Sequence, residues 1–115
     1  YTLAMDRDHP RLASSADAMN PAVLKLIEET VKGAHKHGKW VGVCGGIASD
    51  LQAVAILIGI GVDELSVSVP SIPAIKAEVR ARSLADCREL AKQALEQDDA
   101  AAVRALVPLD ILNGA

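Results

Sequence analysis

Phenylalanine is absent from this chain, and Tyr1 and Trp40 are its only aromatic residues. Proteins that stack single-stranded bases need several aromatic faces, so that mode of nucleic-acid binding is excluded. Positive charge is also scarce. Twelve Lys and Arg stand against fifteen Asp and Glu, a formal net charge of -3, with no basic run able to neutralise a series of phosphates. Long apolar runs are missing too. Ala53 to Ile60 is far short of the roughly 20 residues that cross a bilayer, and no charged-then-apolar leader is read, so a soluble chain without membrane insertion is expected. Cysteine is limited to Cys44 and Cys87, too few and too isolated for a disulfide scaffold, which fits a reducing cytoplasm. The length of 115 residues rules out a whole eight-fold β/α barrel, which needs about 250 residues. The chain opens at Tyr1 inside an apolar run, without Met, and a cut within a larger protein is expected, with residues 1–115 forming one domain or part of one.

What is present is an aliphatic chain, 50% hydrophobic, whose core must be built from Ala, Val, Leu and Ile. Asn20 before Pro21 predicts a helix start, because Asn accepts from the first free backbone donors and Pro at the first helical position gives up no needed bond. Val23, Leu24, Ile27, Val31 and Ala34 then recur at helical spacing to about His37, and Gly38 ends the helix. Trp40 to Cys44 reads as a short buried strand. Ser49 is expected to cap a second helix from Asp50 to about Ile58, ended by Gly59 and Gly61, with a second strand over Leu65 to Val69. A third helix opens at Ser71-Ile72-Pro73 and presents Ile72, Ile75 and Val79 on one face. A fourth starts at a capping box of Ser83 and Asp86, with Leu84, Cys87, Leu90, Ala91, Ala94 and Leu95 as its stripe, and a last one spans Asp99 to Val107. Strand, helix, strand in this order predicts α/β architecture with parallel β/α units.

The stretch richest in chemical possibility is Gly42-Val43-Cys44-Gly45-Gly46-Ile47-Ala48-Ser49-Asp50. A cysteine here ends a predicted strand, on the side where parallel β/α folds carry their sites, and the glycines after it let backbone or ligand approach closely. A free thiol with a pKa of about 8.5 is protonated at neutral pH, so it can donate a proton as well as attack. The alternative is a structural cysteine buried beside a tight turn. Cys87 fits a helix stripe as a small core residue. His9, His35 and His37 do not form a metal site, since His35 and His37 are two apart on a helix and point in different directions; solvated helix-end histidines are the expectation. Asp63 and Glu64, adjacent at a strand entrance, diverge and read as a solvated turn. Ser66 and Ser68 share one strand face, in a ligand-proximal or subunit-contact position.

Several blocks together closely resemble the C-terminal end of Enzyme I, the phosphoenolpyruvate-protein phosphotransferase of the bacterial sugar phosphotransferase system. They are Tyr1-Thr2-Leu3-Ala4-Met5-Asp6-Arg7, Asn20-Pro21-Ala22-Val23-Leu24, Gly38-Lys39-Trp40-Val41-Gly42-Val43-Cys44-Gly45, Gly61-Val62-Asp63-Glu64-Leu65-Ser66 and Ser71-Ile72-Pro73. The resemblance covers roughly residues 1–96, while 97–115 carry little of it. It implies a partial (β/α)8 TIM barrel, the last two or three β/α units only, from a domain that binds phosphoenolpyruvate and, with Mg2+, passes its phosphoryl group to a histidine on a separate N-terminal domain and then to HPr. It implies Cys44 as the catalytic proton donor to enolpyruvate and Arg7 as a substrate-binding residue. It also implies a homodimer, and a cytoplasmic protein. The chemistry suits both residues: an enolate needs a proton at its methylene carbon, and a guanidinium makes bidentate bonds to carboxylate or phosphate.

Two departures stand out. The family's Cys-Gly-Glu block reads Cys44-Gly45-Gly46 here, and its following glycine is Ser49. The Gly-Gly form resembles the fused, fructose-linked multiphosphoryl transfer proteins. The family's Asn-Asp pair, its second metal carboxylate, most substrate arginines and the phosphorylated histidine have no counterpart within residues 1–115, so the chain alone is expected to be inactive and to coordinate no Mg2+ fully. An incomplete barrel is expected to expose two strand edges and inner apolar faces at Val41, Val43, Leu65 and Val67. Two other readings remain at this level: a non-catalytic dimerisation module, and part of an enzyme of the pyruvate phosphate dikinase or phosphoenolpyruvate synthase type.

Overall fold

A computed structural model describes residues 1–109. After an N-terminal segment of turns come α1 (Pro21–Lys36), β1 (Gly42–Val43), α2 (Leu51–Ile60), β2 (Glu64–Leu65), α3 (Ile72–Ala81), α4 (Leu84–Leu95) and α5 (Ala100–Ala105). Single 3-10 turns over Gly46–Ser49 and Val69–Ser71 follow the two strands. The fold is α-rich, with one parallel strand pair joined through α2.

Helix α1 starts as its sequence dictates: the Asn20 side chain accepts from the Ala22 N–H at 2.9 Å, with Pro21 at the first helical position. Its C-cap is His37, followed by Gly38 at φ +66°. Helix α2 departs from expectation at both ends. Its N-cap is Asp50, not Ser49: the Asp50 carboxylate accepts from the Gln52 N–H at 3.0 Å, and Ser49 belongs to the preceding 3-10 turn. At the other end Gly59 lies inside the helix and only Gly61, at φ +106°, terminates it. Gly59 answers to packing: a Cβ there would stand 1.9 Å from the Cys87 carbonyl oxygen and 2.8 Å from the Ala91 Cβ. The missing side chain lets α2 lie directly against the backbone of α4.

That contact is the centre of the core. Gln52 through Leu57 are all buried, and α2 packs chiefly on α4, with α3 and α1 at its flanks. Met19, Leu24, Ala53, Ile56, Leu57, Ala91, Ala94, Val103 and Val107 form one cluster. A helix apolar on nearly every side is stable here because other elements cover it on nearly every side.

The strands pair in register Gly42 with Glu64 and Val43 with Leu65. They are shorter than the predicted runs, although the Val43 carbonyl still accepts from the Ser66 N–H at 2.8 Å and the Val41 carbonyl from Asp63 and Glu64. Alternation puts Val41, Val43, Leu65 and Val67 on one face and Gly42, Cys44, Glu64 and Ser66 on the other. Val43 and Leu65 pack against the helical core, so the valine face is the covered one, contrary to the expectation that it lies open. The opposite face, with Trp40, Gly42, Cys44, Glu64 and Ser66, is exposed.

The later helices differ in detail. On α3 the buried residues are Ile75 and Glu78, whereas Ile72 and Val79 are exposed; Glu78 is held by Arg82 at 2.7 Å. On α4, Cys87, Ala91 and Ala94 are buried but Leu84 is half exposed. The Ser83 cap is present: its hydroxyl accepts from the Asp86 N–H at 3.1 Å and donates to the Asp86 carboxylate at 2.6 Å. Helix α5 begins after Asp99, which caps it through the Ala102 N–H, and it ends at Ala105, short of the expected Val107.

Candidate functional site

Parallel pairing brings the C-terminal ends of β1 and β2 to the same edge, and Cys44 follows β1 directly. The Ser66 N–H to Val43 carbonyl bond sets Cys44 opposite Ser66. Both are exposed on the open face. Gly45 takes φ +83° and ψ -171°, a conformation that a side chain disfavours, and among the described residues no atom beyond the adjoining ones lies within 4 Å of where a Cβ would be at Gly45 or Gly46. The space beside the thiol is therefore open. Ser68, the other predicted face residue, hydrogen-bonds the Ser71 hydroxyl at 2.9 Å, at the foot of α3.

The other cysteine is its opposite in environment. Cys87 is 1% exposed, and burial pushes its thiol pKa up, which removes the thiolate that reactivity requires. Both cysteines are free.

Arg7 lies in the exposed N-terminal segment. Asp6 shapes the chain around it by accepting from the Asp8 N–H at 2.9 Å, and the Asp6 carbonyl accepts from the His9 N–H. Three residues earlier, Ala4 takes φ +53°, a left-handed value rare for a residue with a side chain. Arg7 lines a cleft with Tyr1, Asp17 and Val23, while Cys44 lines a groove between α1 and β1 with Val23, Ile27 and Val41. The two residues do not share a cavity; the two hollows meet at Val23.

His35 and Asp63 are exposed, as expected of them, and they are paired with each other. The His35 Nε2 donates to Asp63 Oδ2 at 2.7 Å, and the same oxygen accepts from the Val41 N–H at 2.8 Å. These bonds, that from His35 first, hold the Asp63 carboxyl below the usual carboxylate range. The end of α1 is thereby fixed to the entrance of both strands.

Sequence reasoning missed a second polar group, behind the Cys44 turn. Arg104 of α5 donates from Nε to Asp17 Oδ2 at 2.7 Å and from Nη2 to Asp17 Oδ1 at 2.9 Å, a bidentate pair. It reaches Asp50 Oδ2 at 2.8 Å and Gln52 Oε1 at 2.7 Å. Gln52, 8% exposed, donates in turn to the Val107 carbonyl at 2.7 Å and the Arg104 carbonyl at 3.2 Å. Arg104 holds Asp17 below the usual carboxylate range, and the two carboxylates keep Arg104 firmly protonated. A signal was available: Gln52 is the single polar side chain in the run Leu51–Ile60, and a polar group in a buried helix must find partners.

Comparison with known proteins identifies the segment. A family model described as PEP-utilising enzyme, PEP-binding domain, matches residues 1–84. The chain is similar to the multiphosphoryl transfer protein of Xanthomonas campestris, 51% identical over 106 residues, which cover 92% of this chain and 13% of that protein. It is 53% identical over 106 residues to the multiphosphoryl transfer protein of Rhodobacter capsulatus, again 92% of this chain and 13% of the relative. It is 45% identical over 95 residues to the phosphoenolpyruvate-protein phosphotransferase of Buchnera aphidicola, 83% of this chain and 17% of that enzyme. Matches of 106 residues extend beyond the span of 1–96 to which the resemblance was assigned. With the family model over most of its length and relatives above half identity, the chain belongs to the PEP-utilising enzymes and carries part of their PEP-binding domain.

Proposed function

We propose that this chain serves in a phosphoenolpyruvate-protein phosphotransferase that moves the phosphoryl group of phosphoenolpyruvate to a protein histidine and then to HPr. Cys44 is the proton donor to the enolate left behind, and Arg7 binds the substrate's anionic groups. The observation that carries the reading is an exposed thiol at the C-terminal end of β1, followed by two side-chain-free positions, in a chain that belongs to this family. The open space gives a planar enolate room beside the sulfur, and proton transfer needs approach to about 3 Å. Two multiphosphoryl transfer proteins above half identity favour the fused form. The open polar face of the sheet and its strand edges, unpaired among the described residues, suit the last two or three units of a closed barrel, in a cytoplasmic enzyme.

The described residues hold no group of three or more His, Cys, Asp or Glu placed to bind a metal ion. By themselves they do not supply the ligand set for the Mg2+ expected of the parent.

The test is a chimera in which this chain replaces the matching segment of the Xanthomonas campestris protein. Pyruvate formation from phosphoenolpyruvate is expected in the chimera. Its Cys44→Ala variant is expected to lose about 100-fold or more in turnover with substrate binding retained; unchanged turnover defeats the assignment. A second reading, association with another copy, draws on the exposed apolar side chains of Val69, Ile72, Val79 and Leu84. Sedimentation of the chain as a stable monomer argues against it.

A further inference from the structure

We propose that Arg104 is a positioning residue for the Cys44 turn, so that α5, outside the segment matched by the family model, sets where the thiol stands. The backbone from Gly45 to Asp50 is fixed at few points. Within it the Ala48 N–H bonds the Gly45 carbonyl at 3.1 Å and the Asp50 N–H bonds the Ile47 carbonyl at 3.3 Å. Ala48 is the only fully buried side chain of the Gly46–Ser49 turn. The exit is Asp50, whose two oxygens have separate tasks: Oδ1 caps α2 and Oδ2 accepts from Arg104.

Arg104 is itself held from three sides. Asp17 takes two of its donors, Gln52 a third, and Gln52 is anchored to the backbone of α5 and of Val107. The guanidinium also walls a hollow beside Gly46 and Ile47, and so touches the same space as the turn. Without Arg104, two carboxylates are left facing one another behind the turn, and Gln52 keeps a buried oxygen without its donor. The least costly response is movement of Asp50, which carries the turn with it. Lysine cannot substitute fully, since one ammonium does not reproduce the planar fork that serves three partners. That the turn's position matters to turnover rests on Cys44 as proton donor; the coupling of Arg104 to the turn does not.

Amide hydrogen exchange on the 115-residue chain tests the coupling. In Arg104→Gln the Ala48 and Asp50 amides are expected to exchange about 10-fold or more faster, the loss of hydrogen bonds to a charged group, while Ile56 and Leu57 change by less than about threefold. Cys87 is expected to stay closed to iodoacetamide, which shows that the core is intact. Arg104→Lys should fall between. Arg82→Gln, which breaks the other partly buried arginine pair, should shift the turn and the core amides by a common factor. Should Arg104→Gln not fold, Asp50→Asn carries the test, because Asn keeps the cap and loses the ion pair. Turn amides that stay unchanged, or that accelerate no more than those of the core, overturn the proposal. In the chimera, Arg104→Gln should lower kcat and leave KM for phosphoenolpyruvate within about twofold; an unchanged kcat beside a strong Cys44→Ala defect overturns the catalytic consequence. Full turnover in Cys44→Ala would instead defeat the proton-donor assignment and leave the exchange result standing.

Discussion

The two cysteines divide the molecule. Cys87 lies where α4 meets α2, 1% exposed, its carbonyl pressed against Gly59; Cys44 stands on the uncovered face of the sheet with open space beyond it. Around the first, small side chains and a bare backbone bring two helices into direct contact. Around the second, glycines leave room that nothing among the described residues fills. One side of the strand pair therefore carries folding energy and the other is the side of the proposed chemistry, and glycine stands on each for a different reason. At Gly59 a side chain would collide with this chain's own backbone, whereas at Gly45 and Gly46 it would enter open space.

The contrast breaks most visibly at Gly59. Gly59→Ala must separate α2 from α4 and is expected to cost about 3 kcal/mol or more, read from urea unfolding, whereas Gly46→Ala should cost less than about 1 kcal/mol. Comparable losses at both positions would erase the distinction. Asp17→Asn is next in size. It removes the charge that Arg104 grips and should destabilise the chain by about 1 to 2 kcal/mol at neutral pH. Because the folded Asp17 titrates below its unfolded value of 3.8, its contribution is complete above that pH and disappears as the pH falls through the folded value. Thermal midpoints of the two proteins should therefore converge below about pH 3.8, and a constant gap down to pH 2 would contradict the pairing. The smallest effect is at Cys44. Cys44→Ala should change stability by less than about 0.5 kcal/mol, since its side chain supports nothing in the core; a larger loss would give the thiol a structural role.

Much of this division was legible in the sequence. Helix starts at Asn20, Ser83 and Asp99 are local chemistry, a short polar side chain meeting a free N–H, and local chemistry is written in neighbouring residues. The parallel arrangement followed from the order of elements. The Cys44 turn could be found because a cysteine followed by two glycines and a helix start stands at the end of a predicted strand, where parallel β/α folds carry their sites. What escaped was whatever depended on distant partners. Arg104 and Asp17 are 87 positions apart, and His35 and Asp63 are 28 apart; neither pairing leaves a trace in spacing. Gly59 was misread for the same reason, because a glycine near a helix end looks like a terminator until the neighbouring helix is known. The valine face was expected to lie open because it was assigned to the interior of an incomplete barrel, and only the packing of Val43 and Leu65 on the helical core shows it to be the covered side.

The parallel pairing of β1 and β2 has a consequence for how the chain folds. Antiparallel neighbours can zip from a hairpin turn, but these two strands meet only after the chain has travelled through all of α2. The closure entropy of that excursion has to be offset by docking of the intervening helix before any ladder bond rewards it. The mutual placement of Cys44 and Ser66 thus depends on the burial of Ala53, Ile56 and Leu57, and a mutation in that helix, far from the thiol, is expected to disturb the thiol's surroundings as one beside it does.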